Sequence, residues 1–438
     1  MNILVISFGG GGDIHPMLAL GRALLERGHH VCFVSNPYFE PLARELGLEF
    51  AGYGSAERLA GYMRGVNPDS RHRRLAHALT GASWIARGFA RWHTRKRVIT
   101  ETMREVYQLI ERRYVPGDTV VVAHTNAFGA RIAQEKLGVP LATVHLQPAV
   151  LRSRHDAPGL PLPDGDKLVP RCLRRLLWAS IDFCSDRIVM PDVNAFRAEL
   201  GLPLVRRPFA GWVHSPELVL GLFPEWFAPP QPDWPPNTHL TGFPLFDEGS
   251  IREMPAELEA FLEAGAPPIV FTVGSFARRS RRFFEVSVEA CRMMERRGVL
   301  LAPTRDLVPE DLPETLRYFD YVPLSALLPR AAAIVHHGGI GTTALALAAG
   351  VPQLVAPFAD DQSDNAARVQ RVNAGLMMTR ADYRPKTVAR KLAHLLESKE
   401  IALACRSAAE RIRQQRPLPE ACRLIEELAA RAPWPPSR

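Results

Sequence analysis

Residues 331–369 read AAAIVHHGGIGTTALALAAGVPQLVAPFADDQSDNAARV, and this stretch decides the fold. A short apolar strand ending at Val335 runs into His336-His337-Gly338-Gly339-Ile340-Gly341-Thr342, where a helix begins. Glycines let a backbone approach a ligand closely, and a new helix offers unpaired N–H groups with the positive end of its dipole. A diphosphate fits those donors, with imidazole and hydroxyl hydrogen bonds from His337 and Thr342. A second strand ends at Pro357, and Ala359-Asp360-Asp361-Gln362 follows. Strand ends that share a crevice are where open α/β sheets bind ligands. Asp361 and Gln362 together can grip vicinal sugar hydroxyls, one accepting protons and the other offering an amide.

Upstream of this stretch, PIVFTVGS, GVLLAP and RYFDYVP continue the same alternation of buried strands with helices. The first half of the chain has its own series: Ile3–Phe8, His30–Ser35, Thr119–His124 and Pro140–Leu146, with a helix from Asn126 to Leu137. Two such series predict two doubly wound parallel sheets. The predicted division is an N-terminal domain over 1–222, a proline-rich connector over 223–250, a second α/β domain over 251–416 and a last helical segment over 417–438 that packs back across the seam. The connector is assigned because proline there is too dense for a helix or a central strand.

The chain opens MNILVISFGGGGDIHPMLAL. Its four glycines fail the G-x-G-x-x-G dinucleotide pattern in every register, because the sixth place is Ile14 or His15. Pro16 suits the first turn of the following helix. Between 51 and 114 lies a long interruption rich in arginine and aromatic residues. On a helix, Ile85, Phe89 and Trp92 would share one face. That face either covers the sheet or forms an apolar acceptor pocket with cationic edges.

A net charge of +8 favours anionic partners such as nucleotides or acidic lipids. No nucleic-acid-binding motif accompanies it. The six cysteines are dispersed with no C-x-x-C pair, as expected of buried thiols in a reducing cytosol. No cluster has metal-ligand spacing, no resident cofactor is implied, and neither a secretory leader nor a membrane span is expected.

At the residues quoted, the chain resembles the inverting nucleotide-sugar glycosyltransferases of the two-Rossmann-domain (GT-B) architecture, family 1. His337, Gly339, Gly341 and Thr342, followed at matching distance by Asp361-Gln362, are similar to that family's donor signature. The resemblance implies that Tyr321 stacks on the nucleobase and that Val322 hydrogen-bonds it through its backbone. It also implies that Ser275 approaches the diphosphate, and it implies transfer of a hexosyl group with the nucleotide sugar as co-substrate. Gly12-Asp13-Ile14-His15-Pro16 matches the family loop in which a base deprotonates the acceptor hydroxyl. Asp13 stands where plant members have histidine, as in bacterial members using thymidine-diphosphate sugars, and His15 is the alternative. An Asp at a helix start is also a good cap.

Eight places after His337, where uridine-diphosphate users commonly have a ribose-binding glutamate, stands Leu345. A leucine cannot accept from a 2′-hydroxyl, which favours a deoxyribose. Within the family, WVHSPELVLGLFPEWFAPPQPDWPPNTHLTGFPLFD, YVPLSALLP and HHGGIGTTALALAAGVPQ are most similar to the rhamnosyltransferases of bacterial rhamnolipid synthesis, which have proline after their counterpart of His336. Either histidine therefore remains a candidate for the diphosphate. This likeness implies L-rhamnose from dTDP-L-rhamnose as the donor group and a 3-(3-hydroxyalkanoyloxy)alkanoate as acceptor, in a cytoplasmic protein able to associate with the inner face of the membrane. Another apolar acceptor (a macrolide, sterol or polyphenol), an epimerase on the same architecture, and a non-catalytic sugar-nucleotide-binding subunit are the alternatives.

Overall fold

The computed structural model describes residues 1–63, 84–156, 171–249, 251–274, 281–358 and 361–431. Seven parallel strands form the first sheet in the order β3-β2-β1-β4-β5-β6-β7. They are β1 (Asn2–Ile6), β2 (His30–Ser35), β3 (Glu49–Gly52), β4 (Thr119–His124), β5 (Leu141–His145), β6 (Leu218–Gly221) and β7 (Thr238–Leu240). Six more form the second, in the order β10-β9-β8-β11-β12-β13. These are β8 (Ile269–Thr272), β9 (Gly298–Leu301), β10 (Leu316–Phe319), β11 (Ala333–His336), β12 (Gln353–Val355) and β13 (Gly375–Met377).

Strand residues alternate faces, and both faces here are apolar, as a sheet covered by helices on each side requires. Ile3, Val5, Val120 and Val122 enter one buried layer. Leu4, Ile6, Val121 and Ala123 enter the other. In the second sheet Phe271, Val335 and Leu354 belong to the same continuous core as Ile3, whereas Val270, Val299 and Ile334 face a third cluster.

The segment expected as an extended interdomain connector over 223–250 packs in its first part onto the first domain. Phe223, Phe227, Ala228 and Trp234 are buried, and β7 adds an edge strand beside β6. Prolines bar a helix there, but an extended chain with aromatic residues between them still packs, and an edge strand tolerates proline at its border. The chain therefore crosses to the second domain only after Leu240. It returns through the last helix, Pro417–Arg431, which packs against Gly11–Glu26. Arg27 donates twice to Glu426, both at 2.6 Å, and His29 meets the same carboxylate at 2.9 Å.

The first helix spans Gly11–Glu26, so it starts five residues earlier than Pro16 suggested, with Pro16 inside it. Proline at that place removes one i→i−4 bond, the one that would return to Gly12. The long helix Trp84–Arg113 covers the sheet with Ile99, Met103, Val106 and Ile110, spaced to share one face. Ile85, Phe89 and Trp92 lie on its first turns, and their side chains are outside the described part of the structure. No described helix is long and apolar enough to cross a membrane.

Candidate active site

The predicted site residues that the structure describes follow β1, β10, β11 and β12, and so come from both domains. The helix that carries Asp13 touches the Ile340–Ala349 helix of the second domain, so the two helices that follow the glycine loops pack against each other.

In the first loop the Gly10 N–H donates to Asp13 Oδ2 at 3.2 Å. Asp13 is the third residue of the helix, reaching back to its N-cap rather than being the cap itself. Gly9 has φ +120°, and a Cβ there would lie 2.0 Å from Asp13 Oδ2. The glycine is therefore what leaves room for the carboxylate. Two hydroxyls prop the loop from behind: Ser7 Oγ donates to the Asp13 carbonyl at 3.2 Å, and the Tyr53 hydroxyl donates to the Ser7 carbonyl at 2.6 Å. Tyr53 also stacks on Phe8, with ring centroids 4.5 Å apart. Its complete burial raises the phenol's pKa well above the ordinary value, so it stays a neutral donor. Nothing in the local sequence singles Tyr53 out, because its partners lie far upstream.

His15 does not share the Asp13 environment. Its Nε2 lies 3.0 Å from Glu248 Oε1, and its ring meets Phe246 edge-on at 5.7 Å.

The two histidines of the second loop separate cleanly. His336, expected among the diphosphate ligands, ends β11 with no exposed surface. Its Nε2 pairs with Gln353 Oε1 at 2.9 Å, and its Nδ1 accepts from the Gly338 N–H at 3.1 Å. With both nitrogens used inside the protein, His336 shapes the loop and has none left for a ligand. The reason is the strand's period of two, which sends adjacent residues to opposite sides.

His337 faces the other way, and its Nδ1 has no hydrogen-bond partner among the described residues. Its ring lies between two glycines: a Cβ on Gly274 or on Gly339 would come within 2.5 Å of it. Burial pushes the His337 imidazole down to about 4 and, with His337 beside it, the His336 imidazole down to about 3. Both are neutral at physiological pH, so His337 offers a hydrogen bond and not a cation. The charge-stabilising element beside it is the helix N-terminus. That helix has Gly339 as an N-cap with no side-chain cap, and the space around Gly341 is open for 4 Å. Thr342 is half-buried on the helix's first turn.

Gly338 has φ +92° and packs against Val355 and the Gln362 carbonyl. Asn365, which sequence reasoning missed, ties this loop to the next one. Its Nδ2 donates to the Gly338 carbonyl at 2.9 Å and to Asp361 Oδ2 at 2.7 Å. The i, i+4 spacing of Asp361 and Asn365 on the helix is the signal that could have found it. Gln362 Oε1 accepts from the Phe358 N–H at 2.8 Å, which fixes the start of its helix against the end of the β12 loop. Ser275 lies outside the described residues.

Tyr321 donates its hydroxyl to the Asp247 carbonyl, and the Arg252 guanidinium lies 5.1 Å from its ring centroid. A base would therefore stack on the opposite face of the ring. Val322 is buried in the third apolar cluster, so only its backbone is left for recognition. Nearby, a cavity of about 360 Å³ is lined by Leu245, Phe246, Asp247, Ser325, Leu345 and Ala348. Its polar side chains are mutually engaged: Asp247 accepts from the Ser325 N–H at 2.6 Å and from the Ser325 hydroxyl at 2.7 Å. A larger cavity of about 870 Å³ lies at Trp226, Thr241 and Gln415, lined by none of the glycine-loop residues.

Comparison with known proteins agrees with the two-domain fold. The family model for the C-terminal domain of erythromycin biosynthesis protein CIII-like proteins matches residues 299–428. The chain is 32% identical to the O-mycaminosyltylonolide 6-deoxyallosyltransferase of Streptomyces fradiae, over 98% of each chain. Among solved structures, the glycosyltransferase of kitacinnamycin superposes with a TM-score of 0.73 at 21% identity, covering 98% of this chain and 99% of that one. The spinosyn rhamnosyltransferase complexed with thymidine diphosphate superposes with a TM-score of 0.66 at 19% identity, covering 97% of this chain and all of the other, 100%.

Proposed function

This chain belongs to the family 1 glycosyltransferases of the GT-B fold, enzymes that use nucleotide sugars, and from that premise we propose that it moves L-rhamnose from dTDP-L-rhamnose to a hydroxyl of a 3-(3-hydroxyalkanoyloxy)alkanoate, with inversion. The observation that carries the donor half is the group at His337, where an imidazole whose buried Nδ1 has no partner among the described residues stands beside a helix start without a side-chain cap and open space at Gly341. The diphosphate sits there, and the helix N-terminus stabilises it as it leaves. Asp361 and Gln362 hold the sugar hydroxyls. Asp13, across the cleft, takes the proton of the acceptor hydroxyl as that oxygen attacks the anomeric carbon.

Thymidine is favoured over uridine by Leu345. It is buried, and the cavity it lines holds no unengaged carboxylate for a 2′-hydroxyl. The spinosyn rhamnosyltransferase complexed with thymidine diphosphate supports this preference by analogy. The acceptor rests on the WVHSPELV and GFPLFD stretches and on the basic aromatic region around Ile85, Phe89 and Trp92. The net charge of +8 suits work at an anionic membrane face on the cytoplasmic side.

Titration calorimetry tests the donor reading. dTDP is expected to bind at least about tenfold more tightly than UDP, the equivalent of one hydrogen bond left unmade. Leu345→Glu should narrow or invert the ratio. Equal affinity in the natural chain would remove the Leu345 argument.

A further inference from the structure

The turn after β7 joins the two halves of the cleft by a chain of direct contacts. Asp247 is clamped to the second domain twice, by the Ser325 N–H and hydroxyl on its carboxylate and by the Tyr321 hydroxyl on its carbonyl. The next residue, Glu248, has φ +65°, a region that a side chain rarely adopts. Its carbonyl accepts from both Ile251 and Arg252 N–H groups at 2.9 Å, which fixes that conformation. The Glu248 side chain then divides its two oxygens between the domains. Oε1 meets His15 Nε2 at 3.0 Å, and Oε2 meets Arg252 Nε at 2.8 Å. Arg252 in turn lies over the Tyr321 ring. Burial favours the neutral acid, yet the His15 hydrogen bond and the charges of His15 and Arg252 hold the carboxyl below its ordinary range.

A buried, strained, doubly bonded glutamate is more than a surface tie. We infer that Glu248 is a positioning residue: it joins the nucleotide platform at Tyr321 to the helix that carries Asp13, so that filling the nucleotide site orders the first glycine loop. The inference rests on the proposed role of Tyr321 and deepens it. A nucleobase on Tyr321 fixes the ring, the ring's hydroxyl fixes the Asp247 carbonyl, and Glu248 transmits that position to His15. Asp13 is two residues away on the first turn of the same helix. His15 is then the receiving end of the link and not a second base.

Hydrogen–deuterium exchange on the full chain, with and without saturating dTDP and separately UDP, tests the link. In the natural protein dTDP should slow exchange in peptides covering 338–345 and, by about fivefold or more, in those covering 9–15, the lower end of ordinary coupling between sites. Glu248→Ala and His15→Phe should keep the first protection and lose the second. Glu248→Gln, whose amide oxygen still accepts from His15, should retain it, which a merely structural loss would not permit. Equal protection of 9–15 in Glu248→Ala, or none in the natural chain while 338–345 is protected, overturns the inference. Failure of both nucleotides to protect 338–345 overturns the donor-site reading instead, and the link with it.

Discussion

Asp13→Asn is expected to lower kcat at least about a hundredfold, the lower end for general-base catalysis, while thermal stability and dTDP affinity stay in place. Asparagine keeps the size of the side chain and an oxygen that accepts from the Gly10 N–H, so the turn at the helix start survives. It also fits the space that Gly9 leaves open. What it cannot do is accept the acceptor's proton. A purely structural Asp13 would tolerate the change with little loss. His15→Ala is the control, expected to cost less than Asp13→Asn, because the imidazole nitrogen nearest the seam is engaged with Glu248. A larger loss at His15 would transfer the base to it.

Gly338→Ala is expected to be the most damaging single-methyl change in the donor loop. Its φ of +92° is costly for any L-residue, by about 1–2 kcal/mol. The new Cβ would also lie 2.8 Å from Val355 Cγ1 and 2.9 Å from the Gln362 carbonyl oxygen, and the latter is backbone that cannot turn aside. The loop must shift, taking with it the His336 hydrogen bond to the Gly338 N–H and the Asn365 bond to its carbonyl. A loss of about 3 kcal/mol of stability follows from strain and clash together. A fall in dTDP affinity of at least about tenfold should accompany it in whatever fraction remains folded, since His337 moves too. Denaturant unfolding and calorimetry measure the two effects. Gly341→Ala separates fold from ligand. Nothing lies within 4 Å of that site, so stability should hold while a methyl intrudes on the place proposed for the diphosphate. If Gly341→Ala binds dTDP normally, the diphosphate lies elsewhere.

Most of the parallel strands were legible because each is a short apolar run. Four were not: β3 and β7 at the edges of the first sheet, β6 inside it and β13 at the edge of the second. Glu49–Gly52 and Thr238–Leu240 carry polar residues, and pairing with one neighbour rather than local propensity makes them strands. Proline density correctly excluded a helix over 223–236, yet it hid how much aromatic surface that segment buries. In the site, glycines and histidines announced themselves. The residues that hold them did not: Tyr53 reaches Ser7 from 46 positions away, and Glu248 reaches His15 from 233. Adjacent histidines look alike in a sequence, and only the fold shows that His336 is engaged through both nitrogens while His337 Nδ1 has no partner among the described residues.

The central claim is rhamnosyl transfer to a lipid hydroxyl, and one assay addresses it. The protein is incubated with dTDP-L-rhamnose and a 3-(3-hydroxyalkanoyloxy)alkanoate, with UDP-glucose, a macrolide aglycone and a sterol in parallel reactions, and the products are read by mass spectrometry. One deoxyhexosyl unit is expected to be added to the hydroxyalkanoyloxyalkanoate, with dTDP released in equal amount. Transfer only to the macrolide or the sterol, or no transfer from either donor by protein that binds dTDP, would contradict it.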